Sequence, residues 1–163
     1  RYGLGDWPGL AAEKLFDRHY APLCTPKLRY ELRLRQPADL LNVPMLSPGD
    51  PCWTAFFAHF GIDLPRLGGR STMALSIQTM NVEAALRGHG VAMAILELFT
   101  DDIASGRLVF AGDGMIRDDK AYWIAYRPDR LREHKIRLFR DWIIAEAREA
   151  HASPPCVAPM LAV

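Results

Sequence analysis

Apolar positions along this chain switch between a helical and an alternating period, and the switches mark its elements. Trp53, Phe56, Phe57 and Phe60 fall at i, i+3, i+4 and i+7, one face of a helix that Gly61 stops. That stripe reads as core rather than as a ligand box. From Thr79 the period is helical again, with Val82, Ala85 and Leu86 on one face. The Thr79 hydroxyl is placed to cap this helix, Glu83 lies in the first turn where the dipole favours a carboxylate, and Gly88 ends it. After Gly88-His89-Gly90, the run Val91 to Ile95 is apolar at every position, the pattern of a strand buried on both faces. Thr100-Asp101-Asp102 opens a short helix that Gly106 closes, and Arg107 to Ala111 follows as a strand. A helix that feeds a buried strand through a Gly-x-Gly turn predicts a parallel α/β layer, in which ligands sit beyond the carboxyl ends of the strands.

The flanks fill in around this stretch. Arg1 to Gly9 reads as the end of a strand entering a glycine-rich loop that presents Trp7, and the abrupt start is that expected of a fragment. Between Glu13 and Cys24, helix propensity competes with alternation at Phe16, Arg18 and Tyr20, and Pro22 tips the balance to a strand. Pro26 and Pro37 bracket a polar, basic segment. Pro37 to Leu40 predicts a single helical turn, Met45-Leu46 a short strand, and Ser47 to Pro51 a loop. Arg70 to Ile77 has strand composition, Gly112-Asp113-Gly114 marks a turn, and Lys120 to Tyr126 alternates as a strand. Pro128-Asp129 opens a long helix to about Ala150, with Leu131, Ile136, Phe139, Trp142 and Ile143 expected inside and the basic run from Arg127 to Arg140 on the outer face. Residues 151–163 are expected to be a flexible tail.

Composition narrows the function classes. With 163 residues, 50% of them hydrophobic and 24% charged, the chain is long enough for a sizeable core. Its formal net charge of +1 lacks the footprint of a dedicated nucleic-acid binder. No apolar run reaches the roughly 18 residues needed to span a bilayer, and the layout of a signal peptide is missing, so a cytoplasmic setting without membrane contact is expected. Cys24, Cys52 and Cys156 are odd in number and dispersed, and read as reduced thiols. The histidines form no pair at helical spacing, so neither a metal nor a cofactor is expected. Gly3-x-Gly5-x-x-x-Gly9 has too long a final interval for a dinucleotide loop, and Trp7-Pro8 stands where its helix should begin. There is no Gly-x-Ser-x-Gly, His-Glu-x-x-His or phosphate loop, and the sequence is read as that of a non-enzyme with no catalytic residue.

Several motifs then agree in order and spacing: Arg1-Tyr2-Gly3-x-Gly5-x-Trp7-Pro8-Gly9, Leu23-Cys24-Thr25-Pro26, Pro37-Ala38-Asp39-Leu40, Ala84-Ala85-x-x-Gly88-x-Gly90-Val91-Ala92, Ala104-Ser105-Gly106-Arg107-Leu108, Ala121-Tyr122-Trp123 and Phe139-Arg140-Asp141-Trp142-Ile143. Together they resemble the effector-binding domain of LysR-type transcriptional regulators, in the branch of the glycine-cleavage activator and the β-lactamase regulators. The resemblance implies an α/β fold of the type 2 periplasmic-binding-protein kind, two lobes with a small-molecule cleft, and a chain that lacks the start of lobe one. Residues 1–24 and 118–150 would belong to lobe one and residues 25–117 to lobe two. It also implies a parent protein that reads DNA through an absent N-terminal helix-turn-helix and self-associates as a dimer or tetramer. A solute-binding protein on the same fold is the alternative.

The resemblance further implies a set of ligand-binding positions. Thr79, Met80 and Asn81 begin a helix whose free N–H groups can seat a carboxylate. Glu97 stands where the β-lactamase regulators carry a small hydroxyl residue, and Tyr122 matches a tyrosine that faces the ligand. Arg1, Gly3 and Trp7 would lie across from them. Each has a plainer reading: Thr79 as a cap, Glu97 as a solvated acid, Tyr122 as core. A helix N-terminus and Glu97 on opposite sides of one cleft favour a ligand with both a carboxylate and an amine. A plain dianion would meet Glu97 at a cost of about 1 kcal/mol or more.

Overall fold

The computed structural model describes residues 1–63, 75 and 77–151. Among the described residues the chain divides into two compact units, the first built from residues 1–18 and 117–151, the second from residues within 19–116. Strands β2 (Ala11–Cys24) and β5 (Ile116–Tyr126) both run through that division.

In the second unit the organising fact is a pair of strands covered on both faces. The end of β2 pairs antiparallel with β3 (Ala92–Ile95) in the register Tyr20↔Ile95, Ala21↔Ala94, Pro22↔Met93 and Leu23↔Ala92. Successive side chains point to opposite faces. Tyr20, Cys24, Val91 and Met93 therefore join Trp53, Phe56 and Phe57 of helix α2 (Pro51–His59) on one side. Ala21, Leu23, Ala92, Ala94 and Leu96 join Val82, Ala84 and Ala85 of helix α3 (Gln78–Leu86) on the other. Small side chains on both partners of the second face let helix and sheet approach closely. The aromatic stripe of α2 is core, as its spacing predicts, although Phe60 at the end of the stripe stays 36% exposed.

The expected parallel layer is corrected by these pairings. β3 runs antiparallel to β2, and among the described residues its flank meets only one parallel bridge, Met45↔Val91, where the expected strand Met45-Leu46 lies. A strand with a helix on each face reads as uniformly apolar whichever way its neighbour runs, so the pattern carried burial and not direction. Val91 donates to the Pro44 carbonyl and accepts from Leu46 N–H, each at 2.9 Å. Between them Gly90 packs so tightly that a Cβ would stand 2.4 Å from the Pro44 carbonyl oxygen. Pro22 is tolerated inside β2 because its outer neighbour β4 (Val109–Phe110) is only two residues long, and the Pro22 carbonyl still accepts from Ala111 N–H at 2.8 Å.

Helix α1 (Pro26–Glu31), which the polar, basic segment did not suggest, starts on Thr25, whose hydroxyl accepts from Leu28 N–H. The turn expected at Pro37 is present as a 3-10 helix, Pro37–Asn42. Helix α4 (Thr100–Ala104) ends at Gly106, as read. The strand expected over 70–77 falls largely outside the described residues, as do most of the tail and Cys156. No helix among the described residues is long and apolar enough to cross a membrane.

In the first unit, β1 (Tyr2–Gly3) pairs with β5 in the register Tyr2↔Tyr122 and Gly3↔Ala121, and β5 lies between β1 and β2. The long helix expected from Pro128 breaks at Glu133 into a 3-10 turn, Pro128–Arg132, and helix α5 (His134–Ala150). Its expected inner face is also corrected. Leu138, Phe139 and Trp142 are more than half exposed, and the covered line runs through Ile136, Arg140, Ile143, Ile144 and Ala147. Arg140 sets that rotation. Its Nε and Nη2 donate to Glu13 Oε1 and Oε2 at 2.6 and 2.7 Å, and Tyr126 donates to the same carboxylate at 2.6 Å. These bonds hold Glu13 below the usual carboxylate range.

Replacing Gly90 by alanine should destabilise the chain by about 2 kcal/mol or more, because the Pro44 carbonyl is backbone and has no room to turn away. Gly49→Ala, with nothing within 4 Å of the added carbon, is the control and should change little in urea unfolding.

Candidate ligand site

The polar residues that sequence reading singled out fall into one group in each unit. In the second unit, α3 begins one residue before Thr79. Ile77 is the N-cap, with no side-chain cap, and Thr79 is the second helical residue, exposed and without the capping role expected of it. Met80 and Asn81 N–H reach back to the Ile77 carbonyl at 3.0 and 3.3 Å. The N–H groups of Gln78 and Thr79 have no acceptor among the described residues. That leaves an open pair of donors at the positive end of the helix dipole. Its far end carries the expected stop: Gly88, at φ 78°, donates to Ala85 and His89 donates to Ala84.

Two side chains tie this N-terminus to the sheet. Gln78 Oε1 accepts from Ile95 N–H at 3.4 Å, which joins the first turn of α3 to the end of β3. Asn81 is buried and accepts from Ser47 Oγ at 2.8 Å, and Ser47 Oγ in turn accepts from Leu75 N–H at 2.8 Å. Met80 stands half exposed beside it.

Glu97 follows β3 by two residues, and its plainer reading as a solvated acid does not hold. Only 9% of the residue is exposed. Both carboxylate oxygens accept from His19 N–H at 3.1 Å, and Oε1 lies 2.6 Å from His19 Nδ1. The short separation pairs the ring with the carboxylate, and in the tautomer with the proton on Nδ1 the ring is the donor. Glu97 and the α3 N-terminus thus belong to one unit, stitched together by Gln78 and Ile95, and not to opposite sides of a cleft. His19, Gln78 and Ser47 were missed in the sequence because their partners are distant along the chain. Cys24 is fully buried, and burial pushes its thiol up to about 11, away from the reactive thiolate form.

In the first unit Tyr122 is flanked by Phe16, stacked at 4.8 Å, and by Tyr2 at 5.5 Å. Its hydroxyl has no partner among the described residues. Arg1 lies over the Trp7 ring at 5.4 Å, Trp7 meets Trp123 edge-on at 6.5 Å, and Gly3 accepts from the Trp123 indole N–H at 3.0 Å. Gly5, at φ 91°, leaves the room this indole fills, since a Cβ there would stand 2.6 Å from the ring. Beside it, Asp118 accepts from Tyr2 and from Arg18, at 2.5 and 2.6 Å, and burial together with the Asp118 bond drives the Tyr2 phenol up to about 12, against the opposing pull of Arg18.

Residues 1–148 match the family described as LysR substrate binding domain. The chain belongs to that family. Relatives of the LysR domain include the glycine cleavage system transcriptional activator of Escherichia coli strain K12, 30% identical over 148 residues. The alignment covers 90% of this chain and 48% of that protein. The HTH-type transcriptional activator AmpR of Enterobacter cloacae is 34% identical over 150 residues, with 91% and 50% covered. The chain therefore spans about half the length of these regulators. Among solved structures, the AmpR effector binding domain from Citrobacter freundii superimposes with a TM-score of 0.74 at 30% identity, over 91% of this chain and 73% of that one. The AmpR effector domain of Pseudomonas aeruginosa gives 0.73 at 28%, over 93% and 72%. The fold is thus that of LysR effector-binding domains, the type 2 periplasmic-binding-protein kind that the motifs implied.

Substituting Glu97 by leucine leaves the His19 N–H and ring without an acceptor and should cost about 2 kcal/mol in urea unfolding at neutral pH. Serine at the same position, small enough to admit water, should cost less.

Proposed function

We propose that this LysR domain is the ligand-sensing part of a transcriptional regulator and that its effector is a zwitterion, an amino acid or a short peptide. The observation that carries the ligand class is the pairing of opposite recognition elements in the second unit. Open N–H groups at the start of α3 suit a carboxylate. Beside them Glu97 keeps lone-pair capacity on Oε2, which among the described residues accepts only from His19 N–H, and this suits an amine. Thr79 and Met80 line the carboxylate end, and Asn81 holds the helix in place.

In this reading the binding is not followed by chemistry. The ligand acts by differential affinity for two arrangements of the regulator, and it shifts their populations by no more than that difference allows. DNA contact belongs to a helix-turn-helix outside the residues in hand, the working assembly is a dimer or tetramer, and the setting is the cytoplasm. The relatives' names as transcriptional activators favour regulation over solute capture.

Calorimetric titration of the chain with the common amino acids, their dipeptides and succinate tests the ligand class. A zwitterion should bind more tightly than succinate, and Glu97→Gln should weaken it at least tenfold while leaving or improving succinate binding. Succinate as the tightest ligand of the unaltered chain contradicts the proposal.

A further inference from the structure

Helix α1 ends differently from α2, α3 and α4. α2, α3 and α4 each stop on a glycine with positive φ: Gly61 at 66°, Gly88 at 78° and Gly106 at 71°. At the same place after α1 stands Arg33, at φ 53°. Its N–H donates to Tyr30 and the Leu34 N–H donates to Arg29, the bond pattern of a glycine-terminated helix made with a residue that pays for the left-handed conformation. Strain of this kind persists where the side chain has work to do.

The side chain opens onto a groove of about 630 Å³ lined by Arg29, Tyr30, Arg33, Leu34, Arg35 and Val109, entirely within the second unit. Leu34 and Val109 give it an apolar floor. Three guanidinium groups give it charge, and neither Arg33 nor Arg35 has a carboxylate within ion-pair distance among the described residues. Glu31, on the same rim, turns to Lys27 at 3.9 Å. Arg29 Nε donates to the Leu34 carbonyl at 3.3 Å, which steadies the turn. Tyr30 is 86% exposed beside them. The Asp39 carboxylate accepts from the Arg35 backbone N–H at 2.9 Å and offsets part of that arginine's charge, which leaves Arg33 the more available cation. Exposed tyrosine and arginine around an apolar floor form the composition of a protein-recognition patch.

We propose that this groove, separate from the candidate effector site, docks a short acidic peptide segment of a partner protein: an apolar anchor on Leu34 and Val109, with flanking carboxylates taken by Arg33 and Arg35. A small polyanion has no use for the apolar floor. A DNA duplex needs a longer basic track than this segment offers on a chain of net charge +1.

The test uses the isotopically labelled chain and the blocked pentapeptide Asp-Glu-Leu-Asp-Glu, followed by NMR, with citrate and a 12-base-pair duplex as competitors. The peptide should shift resonances of Arg29 to Arg35 and Val109. Arg33→Gly, which relieves the strained turn, should raise Tm and yet weaken the peptide at least tenfold, and Arg35→Glu should abolish its effect. The proposal is overturned if those resonances do not move, if Arg33→Gly leaves peptide affinity unchanged, or if citrate or the duplex binds there more tightly than the peptide.

Discussion

A carboxylate taken almost wholly out of water must be met by donors, and for Glu97 both come from one residue. His19 offers its backbone N–H to the two oxygens and its ring nitrogen to one of them. The contact falls where β2 leaves its pairing with β3, one residue before the Tyr20↔Ile95 pair. It therefore pins the turn after β3 to the neighbouring strand. Gln78 then brings the first turn of α3 to the same strand end through Ile95. Three chain segments converge on one small region, and the functional reading draws on what each leaves open there: two helix N–H groups and one carboxylate oxygen.

That convergence rests on a sheet buried from both sides. The alternation of Val91 and Met93 against Ala92 and Ala94 distributes large side chains toward α2 and small ones toward α3. Ser47 reinforces this, because it binds both Asn81 and the backbone of Leu75 and so fixes the approach to α3 from the loop side. Rigid placement of donors before a ligand arrives keeps the ordering cost of binding low.

Much of this frame was legible in the residues, and the reasons for the rest are physical. The stops at Gly61, Gly88 and Gly106 were readable because left-handed backbone selects glycine. Helix α1 was missed in part because Arg33 occupies that position, against the rule that reveals the others. The direction of β3 was not readable, since double burial erases the difference between parallel and antiparallel neighbours. The inner face of α5 was misjudged because the apolar stripe is not what orients it; Arg140 and its bond to Glu13 do, across 127 residues of sequence. At the candidate site, Asn81 and Glu97 could be named, but Ser47 and His19 lie 34 and 78 residues from them. No local pattern joins such pairs.

The account turns on Glu97 being held as an acceptor by His19, and the ring nitrogens of His19 report on that directly. In ¹⁵N NMR of the folded chain at neutral pH, Nδ1 should appear as a protonated, hydrogen-bonded nitrogen, and the signal should change in Glu97→Gln. An unprotonated Nδ1 in the unaltered chain, or a His19 ring indifferent to the substitution, would contradict it.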